Sequence, residues 1–514
     1  MERNLRKNLM VVFIISLAVL GRFVLEYSFS LIWDFFDFST ILGFVVRTFF
    51  VVIFVVVWLS MVLRSENPHN KLPWLLILTL EPVLGITLFL SFGRNFKKSL
   101  RYQKRPKMVN DNYITKEAKP SDNVLYDQAL GEPYRGFFEH AHKLSYHQPF
   151  YGDTQVEVLK NGEMFYPRLK EAIENAKQFI LFEFFILRYD QRSREFIELL
   201  KQKAKAGIEV KVIIDGLGSA RSRRKVSKAF EDSQVDFIVN DRIYFPLFNT
   251  RINYRNHRKI VVIDGQEGFT GGMNIANEYD NSIPHDYYFR DTHLHIKGMA
   301  TKSLTALFFK DYYYNTNRFI DDDVYYQTQP KTTENTVQIL QSGPDTNAPN
   351  IRNLYVKMIM NAKNSVKIMT PYMALDQETL NALKTAVSSG VNVEIIIPGI
   401  PDKYIVYKVT KGFMSNLLAD GVKFYQYDKG FCHGKVLIVD DCIASIGSYN
   451  LDYRSAMIDF EVTALMHGPV VKEVLKDFED DKLESSLIDP HLWAQRPLFS
   501  KFLEGVMSIL TPII

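Results

Sequence analysis

The stretch Asn253-Tyr-Arg-Asn-His257-Arg-Lys259-Ile-Val-Val-Ile263-Asp264 decides the reading of this chain, because its second half returns 176 residues later as His433-Gly-Lys435-Val-Leu-Ile-Val439-Asp440. In both copies six residues separate the Asp from Gly-x-x-Asn: Gly271-Gly272-Met273-Asn274 in the first, Gly447-Ser448-Tyr449-Asn450 in the second. One His-x-Lys-x4-Asp match arises by accident in about one chain in twenty of this size, and two in about one in a thousand, so chance is a poor explanation. The apolar run before each Asp suits a buried strand. Residues two apart on an extended chain share a face, so His257 is expected to project with Lys259, and His433 with Lys435.

Those residue types fit phosphodiester chemistry. A phosphodiester carries a negative charge that repels nucleophiles, and its leaving alcohol needs a proton. Lys259 and Lys435 supply positive charge without a metal. A neutral imidazole attacks, and a second imidazole moves the proton. The glycines let backbone approach a ligand, and Asn side chains donate to phosphate oxygens, so Gly272, Asn274, Ser448 and Asn450 are expected to bind the substrate phosphate. Asp264 and Asp440 end their strands and complete the catalytic set as orienting or charge-balancing groups. One copy is half a site.

The duplication extends upstream. Ala176-Lys177 followed by an apolar run matches Ala362-Lys363, and the segment ending Gly207-Ile-Glu-Val-Lys-Val-Ile-Ile214 matches the one ending Gly390-Val-Asn-Val-Glu-Ile-Ile-Ile397. Each reads as helix, strand, helix, Gly stop, strand. Two α/β halves are implied, each with a parallel-rich sheet covered by helices. A pseudo-twofold would bring the two His-Lys segments to one cleft.

With these motifs in place, the chain resembles the phospholipase D superfamily, and within it the bacterial cardiolipin synthases. The matching residues are those around His257 and His433, Phe269-Thr-Gly-Gly-Met-Asn274, Arg290-Asp291-Thr-His293-Leu, Asp452-Tyr-Arg454-Ser455 and Phe460-Glu461-Val, with Phe92-Gly-Arg94 near the start. Phe289 stands where a Trp is more usual, and His295 where a basic residue is expected, which touches substrate choice and not the motifs. The resemblance implies a phosphatidyltransferase without cofactor. One phosphatidylglycerol gives its phosphatidyl group to His257, His433 protonates departing glycerol, and a second phosphatidylglycerol takes the group to give cardiolipin. The alternative is a membrane-anchored phospholipase D that releases phosphatidic acid. A nuclease ranks low, since net charge is only +4 and much of the basic excess lies beside apolar segments. A non-catalytic lipid-binding scaffold would leave the intact motifs unexplained.

The 514 residues suggest about three units at ~150 residues each. Leu9 to Leu25, Ile41 to Leu63 and Leu72 to Gly93 are nearly uncharged runs, of which the first two suit membrane spans. No small-residue cleavage site follows the first. Arg3, Arg6 and Lys7, then Arg64 and Lys71, then seven basic residues between Arg94 and Lys107 place all three flanks on the cytoplasmic side. Two spans plus a re-entrant or in-plane third run, broken at Glu81-Pro82 and Gly85, satisfy that pattern. The expected division is a membrane region over 1–93, a basic linker over 94–150, halves over 151–330 and 331–480, and an amphipathic tail over 481–514. Localisation is expected in the cell membrane, multi-pass, with the halves facing the cytoplasm and anionic lipid attracted by the linker.

Other features have plainer readings. Asp291, His293 and His295 share a strand face, but neighbouring ligands on one strand diverge, so no metal is expected and His293 is read as hydrogen-bonded. Glu183 suits a buried acid near the cleft. Arg221, Arg223, Arg224 and Lys225 suit an exposed helix face better than a headgroup gate. Gly216-Leu-Gly218 is a loop, lacking a third Gly of the nucleotide-binding pattern. Cys432 and Cys442 are core residues, unpaired as befits a cytoplasmic domain. In the tail, Leu498, Phe499, Phe502, Leu503, Val506, Met507 and Leu510 recur at helical spacing, either in a lipid interface or against the enzyme body.

Overall fold

The computed structural model describes residues 41–63, 68–82, 85–86, 88–89, 135–144, 150–240, 254–320, 322–331, 333–346, 348–509 and 511. The first apolar run and most of the 94–150 linker, its basic stretch from 94 to 107 included, therefore lie outside the described residues. The second run forms a 22-residue helix, Ile41–Val62, whose side chains are described only in part. Pro68–Leu80 forms another helix. Met61, Trp74, Leu78 and Phe89 make a small apolar cluster in this unit. Across the described residues no helix is long and apolar enough to cross a membrane.

The remaining described residues fold as one unit containing both motif copies. Two mixed sheets form it. The first has the strand order Thr154–Lys160, Thr292–Gly298, Glu267–Gly271, Ile260–Ile263, Phe179–Phe184, Glu209–Asp215, Asp236–Asn240. The second repeats it with Thr336–Ser342, Glu461–His467, Ile443–Gly447, Val436–Val439, Ser365–Met369, Asn392–Pro398 and Lys423–Tyr427, then adds Ser485–Leu487 at the edge. The duplication seen in sequence is thus a duplication of topology.

Among the described residues neither sheet is parallel-rich. Only Phe179–Phe184, Glu209–Asp215 and Asp236–Asn240 pair in parallel in the first sheet, and the motif strand Ile260–Ile263 is antiparallel to both neighbours. The cause is local. Asp264 and Gly265 have φ of 52° and 69°, and Gln266 N–H closes on Ile263 O at 3.0 Å, a two-residue turn that folds the chain straight back. Asp440 and Asp441, at 51° and 56°, repeat it, with Cys442 N–H on Val439 O at 3.1 Å.

Apolar alternation sets the layers. Ile260, Val262, Val436 and Ile438 enter one core shared by the two sheets, together with Cys432. Val261 and Ile263 face a second core under the helices Asn161–Glu174 and Gln191–Lys205. Leu437 and Val439 face a third, under Asn350–Asn361 and Gln377–Ser388. Each motif strand is buried on both faces, which is why it reads as an unbroken apolar run. Arg223–Phe230 is a helix, so Arg223, Arg224 and Lys225 of the basic cluster fall on a helix as expected, while Arg221 lies in the turn before it.

Candidate active site

His257 and Lys259 precede their strand rather than belonging to it, as do His433 and Lys435. Extended backbone tied to the opposite half holds them instead. His257 N–H donates to Phe460 O at 2.9 Å, and His433 N–H donates to Arg290 O at 2.6 Å. The next residue along each of those strands is an acid, and it meets the imidazole. His257 Nδ1 lies 3.0 Å from Glu461 Oε1 and 3.1 Å from Oε2, and His433 Nδ1 lies 2.6 Å from Asp291 Oδ2. The first half thus braces the histidine of the second, and the second braces that of the first.

This crossed pairing fixes the tautomer. With Nδ1–H given to a carboxylate, Nε2 carries the lone pair that can attack or take a proton. Exposure of the two side chains is 12% and 8%, so each ring is largely buried. Aromatic rings surround them: Phe185 packs 4.9 Å from His257, and Phe289, Phe431 and Tyr279 lie 5.3, 5.6 and 5.7 Å from His433.

Burial, reinforced by Lys259 and Lys435, holds both imidazoles well below their ordinary value and therefore neutral. Both lysines act on both rings, so the four groups occupy one site. Each lysine also donates to the carbonyl of its own histidine, Lys259 Nζ to His257 O at 2.6 Å and Lys435 Nζ to His433 O. Burial lowers Lys259 to about 7 and Lys435 to about 8. It raises Asp291, and raises Glu461 to about 7 against the pull of Lys259 and the Ser448 hydroxyl.

The other expected site residues are placed differently. Asp264 accepts from the backbone N–H groups of Lys177, Gln178 and Phe179 at 2.8, 2.7 and 2.9 Å. Asp440 does the same for Lys363, Asn364 and Ser365. Both aspartates therefore pin the turn that starts the neighbouring strand, and neither is hydrogen-bonded to a histidine or lysine side chain of the site. Asn274 is engaged at both ends, Oδ1 with Ile186 N–H at 3.0 Å and Nδ2 with the Tyr279 hydroxyl at 2.6 Å. Asn450 is buried with Oδ1 unpartnered. Ser448 donates its hydroxyl to Glu461. Gly272 makes room: a Cβ there would sit 2.0 Å from Asp291 Oδ1. Gly272 and Ser448 thus position the two acids.

His293, expected to be hydrogen-bonded, has both ring nitrogens buried without partner, stacks 4.3 Å from Phe165, and is pushed down to about 3 by burial. His295 is shared between Glu157 and Glu267 at 3.1 and 2.7 Å. No cluster of metal-ligating side chains occurs among the described residues. Cys432 is fully buried, and its thiol is pushed up to about 12, which leaves it inert at neutral pH. Glu183 is a buried acid bonded to Asn256, which also reaches Asp311, the bidentate partner of Arg258.

The bracing roles of Asp291 and Glu461 emerge from the fold. A signal was present. Both acids stand at the head of the strand after Gly-x-x-Asn, immediately before Thr292–Gly298 and as the first residue of Glu461–His467.

A repeated half with a shared histidine pair defines a phospholipase D-like enzyme, and a family model described as "Cardiolipin synthase, PLD-like domain" matches residues 169–281 and 355–482. The cardiolipin synthase of Geobacillus sp. (strain WCH70) is 36% identical over 464 residues, covering 89% of this chain and 92% of that protein. The major cardiolipin synthase of Bacillus subtilis (strain 168) is 34% identical, covering 86% and 93%. Among solved structures, phosphatidylserine synthase of Haemophilus influenzae Rd KW20 superposes with a TM-score of 0.56 at 16% identity, over 73% of this chain and 100% of that one, a likeness of fold. The chain belongs to the cardiolipin synthase family of the phospholipase D superfamily.

Proposed function

We propose that the protein makes cardiolipin and glycerol from two phosphatidylglycerol molecules through a phosphatidyl-histidine. His257 Nε2 attacks phosphorus, the bond from phosphorus to the glycerol oxygen breaks, and His433 gives that oxygen a proton. The second phosphatidylglycerol loses its hydroxyl proton to His433 as its oxygen replaces His257 on phosphorus. Lys259 and Lys435 hold the non-bridging oxygens. The observation that carries this reading is the crossed pair of His-carboxylate bonds, which leaves two Nε2 atoms in a single site. Neutral imidazole suits the nucleophile directly. The acid is prepared by substrate, whose negative charge opposes the burial and the lysines that keep His433 neutral. The reaction takes no metal. Motif symmetry leaves the choice of His257 as nucleophile to the family resemblance.

We further propose attachment to the cell membrane with both halves on the cytoplasmic side. Support comes from the Ile41–Val62 helix, which exposes Val45, Val52, Val56 and Leu59 at helical spacing, and from the basic runs that flank the apolar segments. The test is mass spectrometry of products after the full chain is supplied with phosphatidylglycerol vesicles, with and without chelator. Cardiolipin and glycerol in equal amounts are expected in both. Phosphatidic acid in place of cardiolipin would assign hydrolysis instead, and dependence on a divalent ion would overturn the metal-free chemistry.

A further inference from the structure

The helix Leu498–Ile509 is packed inside out. Glu504 and Ser508 face the protein. Glu504 is 2% exposed and takes a two-pronged bond from Arg496, Nη1 and Nη2 each at 2.9 Å. Ser508 faces Gly412 of the helix Tyr404–Asp420, so closely that a Cβ on Gly412 would lie 2.3 Å from its hydroxyl. Leu498 and Phe499 are meanwhile 81% and 74% exposed, and Val506 and Ile509 39% and 49%. At 3.6 residues per turn those four side chains fall within an arc of about 100°, opposite Glu504 and Ser508. A helix in water turns the other way, because exposing this stripe forgoes burial worth about 25 cal/mol per Å2 of apolar surface.

The neighbouring helix extends the same surface. Ser415 receives bonds from Trp493 Nε1 and Arg496 Nη2, both at 3.0 Å, while Gly412 meets Ser508, so the two helices run antiparallel. At its start, Tyr404 and Ile405 are 64% and 51% exposed. Lys403, Lys408, Lys411 and Lys501 lie on these two helices or at their ends. Of the acids nearby, Glu504 is neutralised by Arg496, and Asp402 is engaged by the Tyr372 hydroxyl. This end of the helix also adjoins the active site. Lys403 Nζ sits 4.9 Å over Tyr372, whose ring is 6.3 Å from Phe431, itself 5.6 Å from His433.

We infer that the helix pair Tyr404–Asp420 and Leu498–Ile509 is a docking face for an anionic lipid bilayer, sinking Leu498, Phe499, Val506 and Ile509 among acyl chains while its lysines meet headgroups. Apolar residues with flanking lysines are complementary to such a surface. The face brings lipid to the Lys403 end of the cleft. The inference rests on the proposed function only in taking the substrate to be bilayer lipid.

The full chain, carrying Cys442→Ser, is labelled with a fluorophore at Phe499→Cys and, as a control, at Glu198→Cys, then reconstituted in phosphatidylglycerol vesicles containing brominated lipid. Quenching by bromine at 499 and not at 198, with iodide in the water quenching only at 198, is expected. Equal iodide quenching at both positions would overturn the inference. Protection at 499 from iodide and bromine alike, with unlabelled Phe499→Cys chains forming an inter-chain disulfide under a mild oxidant, would assign the stripe to a second copy and overturn it too. Phe499→Asp with Val506→Asp is expected to weaken apparent KM for vesicle substrate at least about ten-fold and to leave turnover of a monomeric short-chain substrate unchanged. Bromine quenching in a protein that makes no cardiolipin would keep the docking face and remove the proposed reaction.

Discussion

His257 Nδ1 and the carboxylate of Glu461 meet at 3.0 Å although 204 residues separate them and they belong to opposite halves. Glu461 is itself held by the Ser448 hydroxyl. The pair makes the acid a positioning residue, acting through the imidazole rather than on substrate.

Glu461→Gln should therefore lower kcat on the order of 100-fold or more, as expected when an imidazole loses its orienting acid, while KM changes little. Asp291→Asn should do the same through His433. Steady-state kinetics on phosphatidylglycerol micelles, with circular dichroism to confirm folding, checks both. A fall confined to KM would contradict the positioning role.

His257→Ala should abolish the covalent intermediate and cost at least about 1000-fold in turnover. Intact-protein mass spectrometry after rapid denaturing quench should find a phosphatidyl adduct on the unaltered chain and none on this variant. Finding the adduct on the variant would transfer the nucleophilic role to His433.

The pH profile of kcat/KM should be narrow. On the acid side the limb belongs jointly to His257, held below its ordinary 6.5, and Glu461, raised to about 7. Activity is lost as pH falls through that range, because protonating the pair removes the nucleophile's lone pair or its brace. On the alkaline side Lys259, at about 7, and Lys435, at about 8, discharge in the empty site. Lys259→Arg should move the alkaline limb upward by about one pH unit or more, since a guanidinium keeps its charge.

Asp264 accepts three backbone N–H groups at a positive φ, so Asp264→Ala should cost about 1–3 kcal/mol of stability, from two exposed donors and one part-buried donor losing their acceptor and from a strained turn. The folded fraction should keep its kcat within about three-fold. Asp264→Asn should recover part of the loss, because Asn tolerates this conformation and keeps one acceptor oxygen. Thermal melts paired with active-site titration decide between this anchoring role and a catalytic one.

Gly272→Ala should mimic Asp291→Asn in activity without resembling a phosphate-binding defect, because the added methyl would stand 2.0 Å from Asp291 Oδ1. A rise in KM with kcat unchanged would contradict it.

Much of this was readable in the chain. The two His-Lys copies, the doubly buried strands Ile260–Ile263 and Val436–Val439, and the two-half architecture all leave period-two or repeat signatures. What escaped was of two kinds. Contacts across hundreds of residues, such as His257 with Glu461 and His433 with Asp291, carry no local pattern in a single sequence. The antiparallel course of the motif strands did carry one, in Asp264-Gly265, a strong two-residue hairpin signal. It was outweighed by the helix-strand alternation upstream, which suggests parallel sheets. The repeated motif positions of Asp264 and Asn274 carry no sign of the partners each takes within its own half, the backbone N–H groups of Lys177, Gln178 and Phe179 for Asp264, and Ile186 N–H with the Tyr279 hydroxyl for Asn274.

The crossed bracing also orders events during synthesis. A ribosome that has released residues up to 400 has produced His257, but its acid is still unmade, and the histidine that Asp291 will hold is also absent. Competence arrives only when position 461 emerges and the halves close on each other. A nascent chain that ends before His433 thus carries neither histidine with its brace.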